Sequence, residues 1–576
     1  MNVKRFFSEH WLALVIIAAY LIFAAVQFSK FQHLPGPIYG GDLYSHYGYT
    51  QNFINNGLWS DPYYVGETIY YPWLGHVFII IFKFLTGMSL MKAMIYFPLI
   101  IIILSYLSYY FLGIEIFGKK GYANIFAVLN QVYWGIPDAH PNLFGQLITI
   151  PLVLLFLLRY EKEYKTRDMV FLGISLGLVG LAHIAKFIGI IIMLCIFALW
   201  KLYKQRNFVQ ILKRYIPVAF IGFLVASPFY LPLVFTYHGV TKNPVFQYNI
   251  PPIENLGIGW MSKILVNNTF GDFKTIFHIA AGVLTILGFI IFFLKRKEWS
   301  KQIVLVWFVG GFLAPLHHYI TNPLLDRWVL PYHMIAIWIG LIAFLVMGIH
   351  EVNAHISRRL KVPLSNYVQI IFVLLLLIPM ANSRINDYNN DQWVNYGRQM
   401  DSQTKALLDS GDWIKQNTGI NDVFLAFDES SFAIEAVSAR KLMIVRRTHA
   451  NYFVDIDKRI ADAVVAMYGN DSNKTKMILS EYNVGYFLLD PYLLSSYMKI
   501  RPEFEKYLAD YGVKFTKGRD RLDPSNAEAV QYDLLLIPAQ PLGSGFTDLL
   551  EPLKEFKANG QDYIKIYRVR TKNAQA

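Results

Sequence analysis

The stretch Gly40 to His76, GGDLYSHYGYTQNFINNGLWSDPYYVGETIYYPWLGH, decides how this chain is read. It follows the first apolar run and carries Asp42, His46, Asp61, Glu67 and His76 among many aromatic residues. Acids and histidines beside a bilayer are costly unless water, a partner or a substrate satisfies them. A long polar loop in a chain otherwise sparing with charge is more than a connector.

The surrounding sequence is strongly apolar. Of 576 residues, 55% are hydrophobic and 16% charged, and the mean hydropathy is +0.35. Soluble chains carry about a quarter charged residues, so a polytopic α-helical membrane protein is expected. The net charge of +13 does not indicate nucleic acid, because Lys and Arg collect in short loops between apolar runs, where they set topology. No Walker loop, dinucleotide fingerprint or Cys-rich metal motif occurs. The single cysteine, Cys195, lies within FIGIIIMLCIFALW, which excludes an intrachain disulfide and suits a lipid- or core-facing residue. Lys4 and Arg5 precede a run from Trp11 to Phe28 without a small-residue cleavage site, so a retained first span is expected.

Apolar runs of spanning length fall at 11–29, 91–117, 121–137, 143–159, 168–183, 185–203, 215–235, 275–295, 302–318, 328–349 and 366–382. That predicts about eleven spans. Segment 73–87, WLGHVFIIIFKFLTG, is short and contains Lys83. If it does not cross, basic clusters such as Lys119–Lys120, Arg159/Lys162/Lys165/Arg167 and Arg358/Arg359/Lys361 share the side of the N-terminus. The positive-inside rule then makes the N-terminus cytoplasmic and 73–87 a juxtamembrane helix. Residues 1–382 form the membrane part, with an external loop and juxtamembrane helix over 30–90. Residues 383–576 lack a spanning run and carry ordinary charge, so they are expected to form an external soluble α/β domain. There SQTKALLDSGDWIKQN and TKMILSEYN read as helices, and VFLAF, KLMIV, VGYFLLD, YDLLLIPA and YIKIYRV as buried strands.

Asp42, in a Gly-Gly-Asp setting that permits close backbone approach, is placed to act as a base; its bland alternative is helix capping. His46, four residues on, shares its helix face. It orients the acid, joins it on a metal, or anchors at the interface. Glu67, Tyr71 and His76 suit contacts to a sugar or acceptor, or an aromatic interfacial belt. PDAHPN adds Asp138 and His140, which with Asp42 would make a divalent-metal set, or would serve an ordinary turn. LAHIAK places His183 and Lys186 on the external side, where Lys186 breaks the positive-inside pattern and suits phosphate or snorkelling. LHHYITNPLLDRWVLPYH places His318 near Arg327, whose guanidinium matches a phosphate or pairs with Asp326.

The acidic loop after the first span, YYPWLGH, the segment ending FGKKGYA, and RWVLPYHMIAIWIG together resemble GT-C glycosyltransferases, integral membrane enzymes that use polyprenyl-phosphate-linked sugars. The resemblance implies Asp42 as the acid-base position and Arg327 on the donor phosphate, with Lys186, His183 and His318 assisting. LLDSGDWIKQNTGINDVFLAFDESSFAI resembles the segment after the last span of oligosaccharyltransferase catalytic subunits. Their WWDYG would correspond to Ala426–Ser430, where the paired tryptophans are missing. The expectation is an inverting transferase moving one sugar from a polyprenyl-phosphate donor to a glycan, lipid or protein acceptor at the external face of the plasma membrane. On that reading no cofactor is required. The alternative is an oligosaccharyltransferase-like enzyme with a divalent cation, Mg or Mn, on Asp42, Asp138 and His140. A transporter or flippase of lipid-linked glycans would place charges at mid-membrane and use internal repeats, and neither is visible.

Overall fold

The structure, a computed structural model, describes residues 3–239, 241–243, 276–296, 298–314, 337–360, 381–521 and 531–570. Helix α1 (Val3–Phe28) leads through a turn into α2 (Asp42–Asn56), which carries the polar residues of the opening stretch, and then α3 (Leu74–Thr86). Apart from 366–380, which lies outside the described residues, every expected apolar run overlaps a helix. Five stretches are long and apolar enough to cross a bilayer: Leu90–Phe117, Pro141–Glu163, Ile184–Gln205, Phe208–Tyr237 and Ile337–Arg359. They make the chain an integral membrane protein. The α3 helix has 13 residues. At 1.5 Å per residue it reaches about 20 Å, short of a hydrocarbon core of about 30 Å. Gly87, left-handed at φ 67°, ends it.

The Phe208–Tyr237 helix contains Pro217, Pro228 and Pro232. Pro232 has no N–H to offer the carbonyl one turn earlier. That carbonyl, of Pro228, instead accepts the indole N–H of Trp59 at 2.9 Å, which pins the polar loop to the membrane helices.

The C-terminal region contains two sheets. Strands β1 (Val423–Leu425), β2 (Lys441–Leu442), β3 (Val484–Leu489), β7 (Leu550–Ala558) and β8 (Gln561–Val569) form one sheet, in the order β2-β1-β3-β8-β7. Both pairings of β1 are parallel, and β8 is antiparallel to its neighbours. Strands β4 (Tyr497–Ile500), β5 (Thr516–Arg521) and β6 (Gln531–Pro538) form a small antiparallel sheet with β6 in the centre. The predicted helices appear as Ser402–Asn417 and Ser472–Glu481.

A buried polar network joins this region to the opening loop. The Lys441 ammonium donates to Asn52 Oδ1, Ser60 Oγ and the Asp61 carbonyl. The Asp61 carboxylate accepts the Tyr63 and Tyr64 amides and the Asn451 side chain. The Leu442 amide donates to the Tyr63 carbonyl at 2.7 Å, so the loop is hydrogen-bonded to the edge strand β2. The α2 helix packs against the Asp428–Ser438 helix, where a Cβ on Gly48 would lie 2.2 Å from a Glu435 carboxyl oxygen.

Candidate active site

Asp42 occupies the first turn of α2, where the helix N-terminus favours a carboxylate. The two glycines before it explain its surroundings. Gly40 is left-handed at φ +78°, and a Cβ there would sit 2.6 Å from Arg446 Nη1. That guanidinium donates to the Gly40 carbonyl at 2.9 Å and pairs through Nε with Glu429 at 3.1 Å. The Asp42 side chain is 53% exposed, so a substrate can reach it.

Two histidines flank the carboxylate. His449 Nε2 lies 3.2 Å from Oδ1, and His140 Nε2 lies 4.0 Å from Oδ2. Burial alone would raise the Asp42 carboxyl. The hydrogen bond and charge of His449, joined by His140 and Arg446, outweigh that effect and hold it below the usual carboxylate range. Thr448 Oγ1 stands 3.1 Å from His449 Nδ1. That contact holds the ring with Nε2 toward Asp42.

Behind Asp42 runs a file of imidazoles. The Asn142 amide donates to His140 Nδ1, which leaves the proton of the neutral ring on Nε2. His140 Nε2 faces His46 Nε2 at 3.3 Å, and His46 Nδ1 faces His76 Nε2 at 3.1 Å. Burial, and then His140, His76, His449 and His183, hold His46 well below its ordinary value, so it is neutral. The file orients His140, and through it one edge of Asp42.

The sequence candidates separate on this geometry. Asp42, His46, His76 and His140 come together, and the Tyr71 ring lies 5.0 Å from His46 and 6.0 Å from His183. His183 caps the Ile184–Gln205 helix, and Lys186 is buried one turn on. Glu67 is drawn elsewhere: its carboxylate accepts the Tyr237 hydroxyl at 2.8 Å and helps hold the loop on the Phe208–Tyr237 helix. Arg327 and His318 lie outside the described residues.

The donors expected for a divalent cation are partly assembled. Asp42 and His140 approach each other, whereas Asp138 Oδ1 accepts the His140 amide at 2.9 Å and lines a separate cleft with Arg384 and Tyr388. Among the described residues no three His, Cys, Asp or Glu side chains converge as a metal centre. The groups nearest Asp42 are imidazoles, which suit Mn or Zn better than the oxygen-rich shell Mg demands. The arrangement therefore does not fit a ready Mg site built from Asp42, Asp138 and His140.

Sequence reasoning missed Arg446, Thr448 and His449, which follow β2 in MIVRRTHANYF. The signal lies in topology. Parallel strands present their carboxyl ends on one edge, and ligands of open α/β sheets bind there. The segment after β2 supplies Arg446 to His449, and the segment after β1 supplies Asp428 and Glu429.

No family model matches the chain, and no curated protein matches it. Solved structures do share its fold. The Archaeoglobus fulgidus oligosaccharyltransferase, in complex with Zn and sulfate, is 15% identical over 93% of this chain and 79% of that one, with a TM-score of 0.51. ArnT from Cupriavidus metallidurans bound to undecaprenyl phosphate is 10% identical over 92% and 98%, with a TM-score of 0.50. The arabinofuranosyltransferase AftD from Mycobacteria is 13% identical over 97% of this chain and 40% of that one, with a TM-score of 0.53. The chain thus has the GT-C fold of these glycosyltransferases, as its sequence motifs imply.

Proposed function

We propose that this chain is an inverting glycosyltransferase that moves a sugar from a polyprenyl-phosphate donor to an acceptor hydroxyl at the external face of the plasma membrane. One observation carries the proposal: a half-exposed carboxylate, Asp42, held ionised between His449 and His140 where the membrane helices meet the carboxyl ends of the C-terminal strands. Asp42 takes the acceptor hydroxyl proton as that oxygen bonds to the anomeric carbon. The bond from this carbon to the phosphate oxygen breaks, and the polyprenyl phosphate departs with the electron pair. Arg327, with His183, Lys186 and His318, stabilises the leaving phosphate. Tyr71 and His76 shape the sugar side, with Glu67 holding the loop. About eleven spans, a cytoplasmic N-terminus and an external domain over 383–576 complete the arrangement.

A second reading, a metal-dependent oligosaccharyltransferase-like enzyme, draws on the two imidazoles, His449 and His140, that flank Asp42. The test is transfer by purified protein from a panel of radiolabelled polyprenyl-phosphate sugars, with and without chelator. Transfer that survives chelation and is lost in Asp42→Asn, with the variant still folded and inserted, supports the first reading. Loss on chelation supports the second. Full activity in Asp42→Asn removes Asp42 from the chemistry.

A further inference from the structure

The C-terminal region holds a cleft that borders the Asp42 site without including it. Its cavity volume is about 320 Å³, at the lower end of small-molecule sites, roughly 300–1,000 Å³. Its walls are the three segments that leave the carboxyl ends of the parallel strands: Asp428 and Glu429 after β1, Arg446 to Thr448 after β2, and Tyr492 to Lys499 after β3. The chain runs from β1 to β2 on one side and then to β3 on the other, so β1 marks a topological switch point. Crevices at such points are where open α/β sheets bind ligands.

We propose that this cleft is the acceptor subsite and that it takes a short, uncharged saccharide rather than an acidic ligand or a peptide. Its cations are already matched: Arg446 with Glu429 at 3.1 Å, Arg447 with Asp457 at 2.6 Å, and Lys499 with Asp520 at 3.0 Å. An anion entering would have to displace one of these carboxylates. The hydrophobic residues Phe427 and Ile460 are themselves buried, so the walls offer no apolar hole for a peptide side chain. What remains is a surface of hydroxyls from Thr448, Ser495 and Ser496, the carboxyl of Asp428, and the tyrosines Tyr492 and Tyr497. Carboxyl oxygens and hydroxyls hydrogen-bond the hydroxyls of a sugar, and the electron-rich face of a tyrosine suits the C–H face of its ring. Tyr492 is held for this by Tyr39, with ring centroids 4.4 Å apart.

The cleft adjoins the carboxylate. Thr448 on its wall touches His449, and His449 touches Asp42; Arg446 on the same wall holds the Gly40 carbonyl. Asp42 itself does not line the cleft, so the acceptor chain has to extend past Thr448 and His449 to bring a terminal hydroxyl to it. The role as acceptor subsite rests on the transferase proposal, but binding does not, so the two are tested separately.

Binding is measured on the full chain in detergent by saturation-transfer NMR, without donor. The probes are gluco-, manno- and galacto-oligosaccharides of two to four units, alongside a peptide panel. At least one oligosaccharide should bind, with affinity at least tenfold weaker in Ser496→Trp, which fills the cleft, and in Tyr492→Ala, while Tyr492→Phe retains it. Melting curves of the variants report folding. Absence of any oligosaccharide binding, preference for peptides, or unchanged affinity in a folded Ser496→Trp overturns the proposal. Release of polyprenyl phosphate from labelled donor is followed separately. Release without saccharide binding overturns the cleft alone, and saccharide binding without release overturns the transferase reading alone.

Discussion

Glu435 should make the docking of α2 sensitive to pH. It is fully buried on the Asp428–Ser438 helix, facing Gly48, and neither carboxyl oxygen has a hydrogen-bond partner among the described residues. Burial raises its carboxyl well above the ordinary value; Lys441 opposes the rise and Asp61 adds to it. The folded pKa therefore exceeds the unfolded one. The stability this protonation contributes is present in full below about pH 4.5 and is lost as pH rises toward the folded value. Between those limits only the unfolded chain gives up the proton, so stability falls by about 1.4 kcal/mol per pH unit. As pH rises above 5.5 the wild type should lose stability relative to Glu435→Gln, which keeps the shape without the titration, by at most about 1.4 kcal/mol per pH unit. At about 2–4 °C per kcal/mol for a domain of this size, the melting temperatures should diverge with rising pH by up to roughly 3–6 °C per pH unit. Asp61, raised to about 6 mainly by burial, titrates in the same range, and its ionisation adds to the rise of Glu435. The assay is differential scanning fluorimetry of both proteins in the same micelle across that range. Parallel pH profiles would refute a buried, protonated Glu435.

Three further substitutions address the carboxylate and the loop. His449→Ala removes the donor to Asp42 Oδ1, so the carboxyl should titrate higher and the acid limb of the kcat/KM profile should move to higher pH; Thr448→Val should move it less, in the same direction. An unshifted acid limb in both would show that the limb does not report Asp42. Lys441→Met leaves Asn52, Ser60 and the Asp61 carbonyl without their buried donor and should cost about 3–5 kcal/mol, read as a lowered melting temperature.

Much of this fold is legible in the sequence because lipid makes polar residues conspicuous. Asp42, His46, His76 and His140 stand out in a chain with 16% charged residues, and they converge. Thr448 and His449 do not stand out, because polar residues are ordinary in a water-facing segment. Only the strand order, which pairs residues far apart in sequence, brings them to Asp42. The same logic sorts the strands. The central β1, β3, β6 and β8 read as apolar runs, whereas β4 (YMKI), β5 (TKGRDR) and β7 (LEPLKEFKA) are all edge strands and carry the charges that keep edges from pairing with other chains. Charge hides them from a hydrophobic pattern. Strand β2, also at an edge, stays readable because the loop at Tyr63 covers it.

The position of Asp42 depends on both halves of the molecule. A helix of 15 residues is marginal alone in water, and α2 is rich in tyrosine and carries Gly48 at its centre. It is held because ten of its residues are buried, some against α3 and others against the Asp428–Ser438 helix. The contacts that set the carboxylate divide the same way. His140 caps the Pro141–Glu163 membrane helix, while His449 and the Arg446 that holds Gly40 belong to the segment after β2. Neither half alone completes the site. The carboxylate is thus assembled where the membrane helices meet the C-terminal sheet, which is where the proposed transfer needs a donor arriving through lipid to meet an acceptor arriving through water.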